Sequence, residues 1–207
     1  MPDTIPQVKS AADSNRLFPI FLKLEHLSVL IVGAGNVGLE KLQAVITNSP
    51  SAKVTIVAIE ISNDIKRIAA NYSSISLVTK SYESTDISHH DLVIAAINDI
   101  TVSAQVAADA KRKKILVNVA DKPALCDFYL GSVVQKGHLK IAISTNGKSP
   151  TIAKRVKEVL NDSLPAEIDD LLNNMRQIRD KLSGDFTEKV KQLNELTKSL
   201  SQNNSNV

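Results

Sequence analysis

The feature that most constrains this chain is the spacing of three glycines, Gly33-x-Gly35-x-x-Gly38. An apolar run, Val29 to Val32, precedes them and predicts a buried strand, and apolar residues at helical spacing follow them. A strand, a glycine turn and a helix in this order predict a phosphate-binding loop, because the free N–H groups at a helix N-terminus bind anions. The first glycine would allow the turn, the second the approach of a pyrophosphate, and the third close packing of the helix on the strand. We therefore expect a dinucleotide-binding loop, with a turn that binds nothing as the alternative.

An acidic residue lies at the distance that such a loop requires. Lys53 to Ala58 is the next predicted buried strand, and Glu60 lies just beyond it, 22 residues after Gly38. A carboxylate at that strand end accepts hydrogen bonds from the ribose hydroxyls of a bound dinucleotide, and it repels a 2′-phosphate. The sequence therefore favours NAD over NADP, unless Glu60 is simply an exposed carboxylate at a strand end.

Predicted strands and helices alternate from residue 29 to residue 119. After the first two strands, strands are expected at 76–79, 91–97 and 115–119, with helices at 62–71 and 101–113. This alternation predicts the α/β class, with a Rossmann-like, doubly wound parallel sheet. The apolar segment Leu17 to Leu22 is expected to pack on the first strand from its edge. Ligands bind beyond the carboxyl ends of such strands, and the four polar or glycine positions that follow predicted strands are Gly33, Glu60, Asn98 and Asp121.

After Asp121 the pattern changes. Two strand-like runs, 128–134 and 138–144, flank a turn signal at 135–137, and a helix is expected to begin with Pro150 at its first position. Two helical stripes follow, with a break at 183–185 and a polar tail from Ser201. We expect a flexible leader (1–15), a Rossmann domain (16–130), a small β dimerisation segment (131–150) and a C-terminal helical domain (151–207). An isolated two-stranded ribbon is marginal in water, so pairing with a second copy predicts a symmetric homodimer.

Composition and charge exclude several function classes. The net charge is +3, which is too small to indicate nucleic acid, and no apolar run reaches the roughly 20 residues that span a bilayer. The single cysteine, Cys126, excludes an intrachain disulfide and suits a reducing compartment. The four histidines show no ligand spacing with Cys126, so no stored metal is expected. We therefore expect a cytoplasmic protein that binds neither nucleic acid nor a membrane.

Several short sequence motifs beyond the glycine loop narrow the range of families that the chain resembles. The chain resembles the siroheme-synthase family, which consists of precorrin-2 dehydrogenases, some of which are also sirohydrochlorin ferrochelatases. The glycine motif alone is shared with many dehydrogenases, whereas Asn-Val-Ala-Asp followed by Ser-Thr-x-Gly-x-Ser-Pro is far narrower. The matching words lie at 18–24, 32–38, 94–98, 118–121 with 126–128, and 143–150.

The resemblance implies oxidation of precorrin-2 to sirohydrochlorin with NAD as cofactor, and it places the acid/base carboxylate on Asp121. Its cofactor-binding positions fall on Gly33, Gly35, Asn36, Val37, Gly38, Ile59, Glu60 and Asn98, with Ile59 where relatives often have a proline. The candidate contacts to the polycarboxylate tetrapyrrole are Ser144, Thr145, Lys148, Lys154 and Arg155. The last three flank a helix start suited to an anion. The implied partners are the tetrapyrrole, a second copy of the chain and, if iron is inserted, Fe²⁺ as a substrate.

Other interpretations stay open at this point. A non-catalytic NAD-sensing module would account for the glycines and Glu60, but it leaves Asp121 and Ser144-Thr145 unexplained. A dehydrogenase of a small hydroxy acid would need a histidine and an arginine at a catalytic strand end, an arrangement that the sequence lacks. Asp121 could also be a turn-capping residue before Lys122-Pro123.

Overall fold

The computed structural model of the chain describes residues 14–182 and 185–197. Most of the predicted leader, two residues of the predicted break at 183–185 and the predicted polar tail lie outside the described residues. The strands are β1 (Ser28–Val32), β2 (Lys53–Ala58), β3 (Ile75–Thr79), β4 (Leu92–Ala95), β5 (Leu116–Val119), β6 (Ser132–Lys136) and β7 (Leu139–Ile143). The helices are α1 (Asn36–Asn48), α2 (Asn63–Ala69), α3 (Ile100–Lys113), α4 (Pro150–Ser163), α5 (Ile168–Lys181) and α6 (Phe186–Thr197).

Five parallel strands form one sheet in the order β3-β2-β1-β4-β5. β1 lies at its centre, paired with β2 on one side and with β4 on the other. The strand order reverses between β1 and β4, and ligands bind outside the carboxyl ends of the strands at such a switch point. The predicted Rossmann-like architecture is therefore confirmed. The glycine loop lies at the carboxyl end of the central strand, β1.

Both faces of this sheet are covered, which explains the nearly unbroken apolar character of its strands. On one face, buried residues of α1 and α2, among them Leu42 and Ile65, pack with the side chains that β1 and β2 direct to that side. On the other face, α3 contributes Val106 and Ala110 to a second cluster. The predicted cap of α2 is also present, since the Ser62 hydroxyl accepts a hydrogen bond from the Ile65 N–H at 3.4 Å.

The apolar segment Leu17 to Leu22 departs from its prediction. Phe18 is 86% exposed and Phe21 is 67% exposed. β1 has no free edge, because β2 and β4 flank it, so the expected packing on an edge of β1 is wrong. Instead, Leu24 and Leu27, which come directly before β1, pack against the first core.

The chain divides into two compact units. The first comprises the described residues up to Leu130 together with 146–148, and the second comprises 131–145 and the described residues from Ser149 onward. In the second unit β6 and β7 pair antiparallel, and α4 packs on them. β6 begins at Ser132 and not near Phe128 as expected, because Phe128 packs against the core of the first unit. Across the described residues, no helix is both long and apolar enough to cross a bilayer.

A buried carboxylate braces α3 within the first unit. Asp109 is 3% exposed, and it accepts hydrogen bonds from the hydroxyls of Tyr82 (3.0 Å) and Ser84 (2.6 Å) and from the Arg112 guanidinium (2.5 Å). Burial alone would raise the pKa of Asp109, but these hydrogen bonds outweigh it and hold the pKa below its usual value. The resulting stabilisation is present above the carboxyl pKa of the unfolded chain, about 3.9, and is lost as the pH falls through the lower folded-state pKa.

We expect Tyr82→Phe to lower the free energy of unfolding by about 1.5–3 kcal/mol at pH 7, because it removes a hydrogen bond to a buried charge. Urea unfolding followed by circular dichroism measures this change. The control is Tyr129→Phe, since the Tyr129 hydroxyl makes only a 3.5 Å contact to the Pro123 carbonyl oxygen at an exposed site. That control should cost less than about 0.5 kcal/mol. The difference between Tyr82→Phe and the parent should narrow below about pH 3.9, and equal losses for both variants would contradict the bracing role.

Candidate active site

The loop between β1 and α1 takes its shape from the three glycines. Gly33 has φ +104°, and a Cβ at this position would overlap the carbonyl oxygen of Ala96. A Cβ on Gly38 would overlap the carbonyl oxygen of Gly33, so α1 packs directly on the loop. A Cβ on Gly35, in contrast, would meet nothing within 4 Å. The protein's own packing therefore requires two of the glycines, while Gly35 leaves an open face at the start of α1.

The N-terminus of α1 fits an anion. Gly35 is its N-cap, and among the described residues no side chain caps this helix end. The N–H groups of Asn36, Val37 and Gly38 belong to the first turn, where a helix supplies no internal acceptor. Together with the open face of Gly35 and the positive end of the helix dipole, these donors suit the pyrophosphate of a dinucleotide.

Glu60 follows β2, the strand next to β1. Both Ile59 and Glu60 are exposed. The Ser62 N–H donates to the carbonyl oxygen of Ala34 at 3.2 Å, which ties the segment after Glu60 to the glycine loop. A carboxylate acceptor therefore lies on a segment attached to the phosphate-binding loop, as a ribose contact requires.

A small, open cavity lies at the carboxyl ends of β4 and β5, beside α1. It brings together three predicted residues from different elements, Val37 of the glycine loop helix, Asn98 and Asp121. Four further lining residues were not among the predicted site residues, although their positions within three residues of the ends of β4 and β5 were a signal for them. The full lining is Val37, Ala96, Ile97, Asn98, Ala120, Asp121 and Lys122.

Asp121 has an unusual backbone conformation. Its φ is +59°, and the Lys122 N–H donates to the Val119 carbonyl oxygen at 3.2 Å to close a tight turn around it. Few residues other than glycine adopt positive φ, and aspartate is among those enriched there, at a modest conformational cost. Within the described part of the chain, the Asp121 carboxylate makes no hydrogen bond or ion pair, which argues against the turn-capping interpretation. An exposed carboxylate at a strained position in a cavity is characteristic of a functional group.

The predicted substrate residues divide between the two units. Thr145 has a local role, because its hydroxyl accepts from the Ser149 N–H (3.2 Å) and donates to the Ser149 carbonyl (3.1 Å). Arg155 pairs with Glu158 at 2.6 Å. Lys148 belongs to the first unit and the other four residues to the second: Ser144, Thr145, Lys154 and Arg155. Their contact with a substrate stays a prediction.

The N-terminus of α4, which Lys148, Lys154 and Arg155 flank, is partly capped. The Ser149 hydroxyl accepts a hydrogen bond from the Ile152 N–H at 3.2 Å, so one N-terminal donor of α4 is already used. Over residues 14–182 and 185–197, no group of three or more histidine, cysteine, aspartate or glutamate side chains could hold a metal ion. The cavity at Asp121 is therefore the better supported chemical site.

Comparison with family models gives two adjacent matches. Residues 20–132 match the model described as "Putative NAD(P)-binding", and residues 136–163 match the model for the sirohaem biosynthesis protein central segment. The first match contains the glycine loop, Glu60, Asn98 and Asp121. The second contains β7 and all of α4, together with the last residue of β6.

Individual relatives are also proteins of siroheme biosynthesis. A siroheme synthase of Psychrobacter cryohalolentis is 36% identical over 174 residues, which cover 84% of this chain and 31% of that protein. A siroheme synthase of Methylococcus capsulatus is also 36% identical, with 84% of this chain and 34% of that protein covered. The chain thus spans about a third of the length of these relatives. The solved structure of SirC, a precorrin-2 dehydrogenase, superposes with a TM-score of 0.69 at 25% identity and covers 87% of this chain and 89% of that one.

We expect Gly35→Ala to weaken NAD⁺ binding by about tenfold or more, equivalent to about 1.4 kcal/mol, because the added methyl group occupies the open face where the pyrophosphate would lie. Calorimetric titration measures the dissociation constant. The melting temperature should stay within about 2 °C of the parent, since the methyl group meets no protein atom. Gly38→Ala is the matched comparison and should lose stability, because its methyl group overlaps the Gly33 carbonyl. Unchanged NAD⁺ affinity in Gly35→Ala would mean that the dinucleotide does not bind at this loop.

Proposed function

The chain belongs to the siroheme-synthase family of NAD(P)-binding proteins, and from this premise we propose that it oxidises precorrin-2 to sirohydrochlorin with NAD⁺. The observation that carries the proposal is that one cavity is lined both by Val37, at the start of α1, and by Asp121. A nucleotide loop alone would serve a sensing module. A strained carboxylate beside that loop adds a group that can move a proton.

The reaction removes two hydrogen atoms from the macrocycle, one as a hydride and one as a proton. Bound NAD⁺ supplies the hydride acceptor. The glycine loop and the N-terminus of α1 would hold the pyrophosphate, and this fixes where the nicotinamide end can lie. Asp121, on the strand at the edge of the same sheet, would accept the proton, a role that contributes roughly 10²–10⁴-fold in rate.

The neighbours of Asp121 favour this role. Apolar Ile97 and the small Ala96 and Ala120 line the cavity, and Asn98 and Lys122 add polar side chains to its lining. Lys122 lies next to Asp121 in the chain, so it can attract a carboxylate of the substrate toward the cavity. Glu60 selects NAD⁺ over NADP⁺, because its charge repels a 2′-phosphate.

A second copy of the chain is part of the same proposal. α4 buries Ala153 against the ribbon of β6 and β7, but it leaves Ile152 55% exposed and Val159 63% exposed. These two residues, together with Val156, recur at i, i+4 and i+7 and so form one apolar helix face. Burying this face and the short ribbon against the same elements of a second copy would give a symmetric dimer.

Iron insertion is a further proposed step on the same site. It needs the two pyrrole N–H protons of sirohydrochlorin to be removed. The Asp121 carboxylate, once it has released to solvent the proton taken up in the oxidation, can accept these two protons one after the other and pass each to solvent. Fe²⁺ would enter as a substrate and be captured by the four nitrogens of the macrocycle.

We expect Asp121→Asn to lower the turnover of precorrin-2 by ~10² or more, because the amide cannot accept the proton. Asparagine tolerates positive φ, so the melting temperature and the NAD⁺ affinity should stay near the parent values. The measurement is anaerobic NADH formation from precorrin-2 and NAD⁺, followed by the loss of sirohydrochlorin absorbance when Fe²⁺ is added. Near-parent oxidation rates in Asp121→Asn would remove Asp121 from the mechanism. Absence of turnover in the parent, with NAD⁺ still bound, would favour a sensing module.

We expect the parent protein to have the mass of a dimer in multi-angle light scattering, and Val159→Glu to have the mass of a monomer at the same concentration. A buried, unpaired carboxylate is costly in an apolar interface. Lys154→Glu, an exposed position on the opposite side of α4, is the control and should remain dimeric. A monomeric parent, or a dimeric Val159→Glu, would contradict the proposed interface.

A further inference from the structure

The chain turns back on itself directly after the Asp121 turn. A short 3₁₀ turn, Pro123–Leu125, leads into the return segment, defined here as Cys126, Asp127 and Phe128, which runs beside β5. The Asp127 N–H donates to the Val117 carbonyl oxygen at 2.8 Å, and the Asp127 carboxylate accepts from the Val117 N–H at 3.1 Å. The return segment is therefore fixed to the strand that carries Asp121.

A buried amide fixes the other end of the return segment. Asn118 of β5 is 6% exposed, and its Nδ2 donates to the Phe128 carbonyl oxygen at 2.9 Å. The same Nδ2 lies 3.6 Å from the Cys126 Sγ. Because hydrogen bonds fix both Asp127 and Phe128 to β5, the Cys126 side chain is held next to the Asp121 turn.

The Cys126 thiol makes hydrogen bonds to the backbone on both sides of Asp121. Its Sγ accepts from the Val119 N–H at 3.2 Å, and it lies 3.2 Å from the Val119 carbonyl oxygen and 3.4 Å from the Lys122 carbonyl oxygen. The single S–H can donate to one of these two oxygens at a time. Burial raises the pKa of the thiol, so the thiol keeps its proton at neutral pH and can both donate and accept.

A left-handed aspartate persists only where the surrounding structure holds it. Around Asp121 this support includes the Lys122–Val119 hydrogen bond and the contacts of the thiol to those same two residues. Backbone hydrogen bonds from the Ala120 N–H to Ala95 and from the Leu125 N–H to Lys122 fix the two ends of the turn. We propose that Cys126 is a positioning residue for Asp121, holding the turn so that the carboxylate stays directed to the reacting macrocycle. This inference rests on the proposed function, because it concerns the catalytic effect of the carboxylate and not only the fold.

The test uses Cys126→Ala and Cys126→Ser in the full chain. In Cys126→Ala we expect kcat for precorrin-2 oxidation to fall about tenfold, because small displacements of a reacting group are costly, while the KM and Kd for NAD⁺ stay within about twofold. Cys126→Ser should recover kcat to within about threefold of the parent, because the hydroxyl can make the same hydrogen bonds. Parent-like kcat in Cys126→Ala, or no recovery in Cys126→Ser, would overturn the proposal.

A double-mutant cycle separates positioning from loss of stability. In the Asp121→Asn background, Cys126→Ala should produce no further loss of kcat, since the group that it positions is already absent. Val106→Ala is the stability control, because Val106 lies in the same core cluster as Cys126 but on α3 and not in the turn segment 119–122. It should lower the melting temperature and leave kcat unchanged. Equal losses of kcat in Val106→Ala and Cys126→Ala, or additive losses in the double variant, would also overturn the positioning role.

Hydrogen exchange gives a readout that does not depend on turnover. The Val119 N–H donates to the thiol, so its exchange should accelerate about tenfold or more in Cys126→Ala relative to the parent, while exchange of the β1 amides stays unchanged. An inactive parent would refute the proposed function, and the exchange result would still decide whether the thiol holds the turn. Unchanged exchange at Val119 would by itself refute the proposal that the Cys126 thiol holds the turn.

Discussion

The contact between α1 and the glycine loop is the constraint on which the rest of the site depends. Gly38 lies against the Gly33 carbonyl, and Gly33 lies against the Ala96 carbonyl that follows β4. Any side chain at either glycine would separate the helix from the loop or the loop from β4. Because these contacts join the backbones of β1, α1 and β4, they bring the phosphate-binding helix next to the cavity that contains Asn98 and Asp121. The same packing would therefore set the positions of a bound dinucleotide and of the Asp121 carboxylate.

The order of the strands determines which groups lie on each side of the glycine loop. β1 lies between β2 and β4, so the segment that carries Glu60 is on one side of the glycine loop and the cavity is on the other. A dinucleotide bound across the loop would have its ribose near the acidic residue and its reactive end near Asp121. In the proposed reaction, the hydride acceptor and the proton acceptor would then meet on the cavity side of the glycine loop.

Much of the first unit could be predicted from the sequence, because strands buried on both faces are nearly unbroken apolar runs and helix caps are local signals. β2 and β3 begin and end within a residue of their predicted bounds, and the predicted role of Ser62 as a cap is confirmed. Phe128 was misplaced, since an apolar residue near a strand pattern does not reveal which core it joins. The segment around Phe18 was misplaced because the central position of β1 is a property of the whole sheet. Three features also have no signature in residue type or spacing: the positive φ of Asp121, the thiol contacts of Cys126 and the network around Asp109.

The left-handed backbone at Asp121 narrows what this position can contain. Glycine and asparagine suit the conformation, but neither can take up a proton. Glutamate can take up a proton, but its longer side chain is disfavoured in that backbone region and would carry the carboxyl group farther from the turn. Aspartate is one of the few side chains that both adopt this backbone region and accept a proton, so the turn restricts the choice of proton acceptor at this position to a short, compact group.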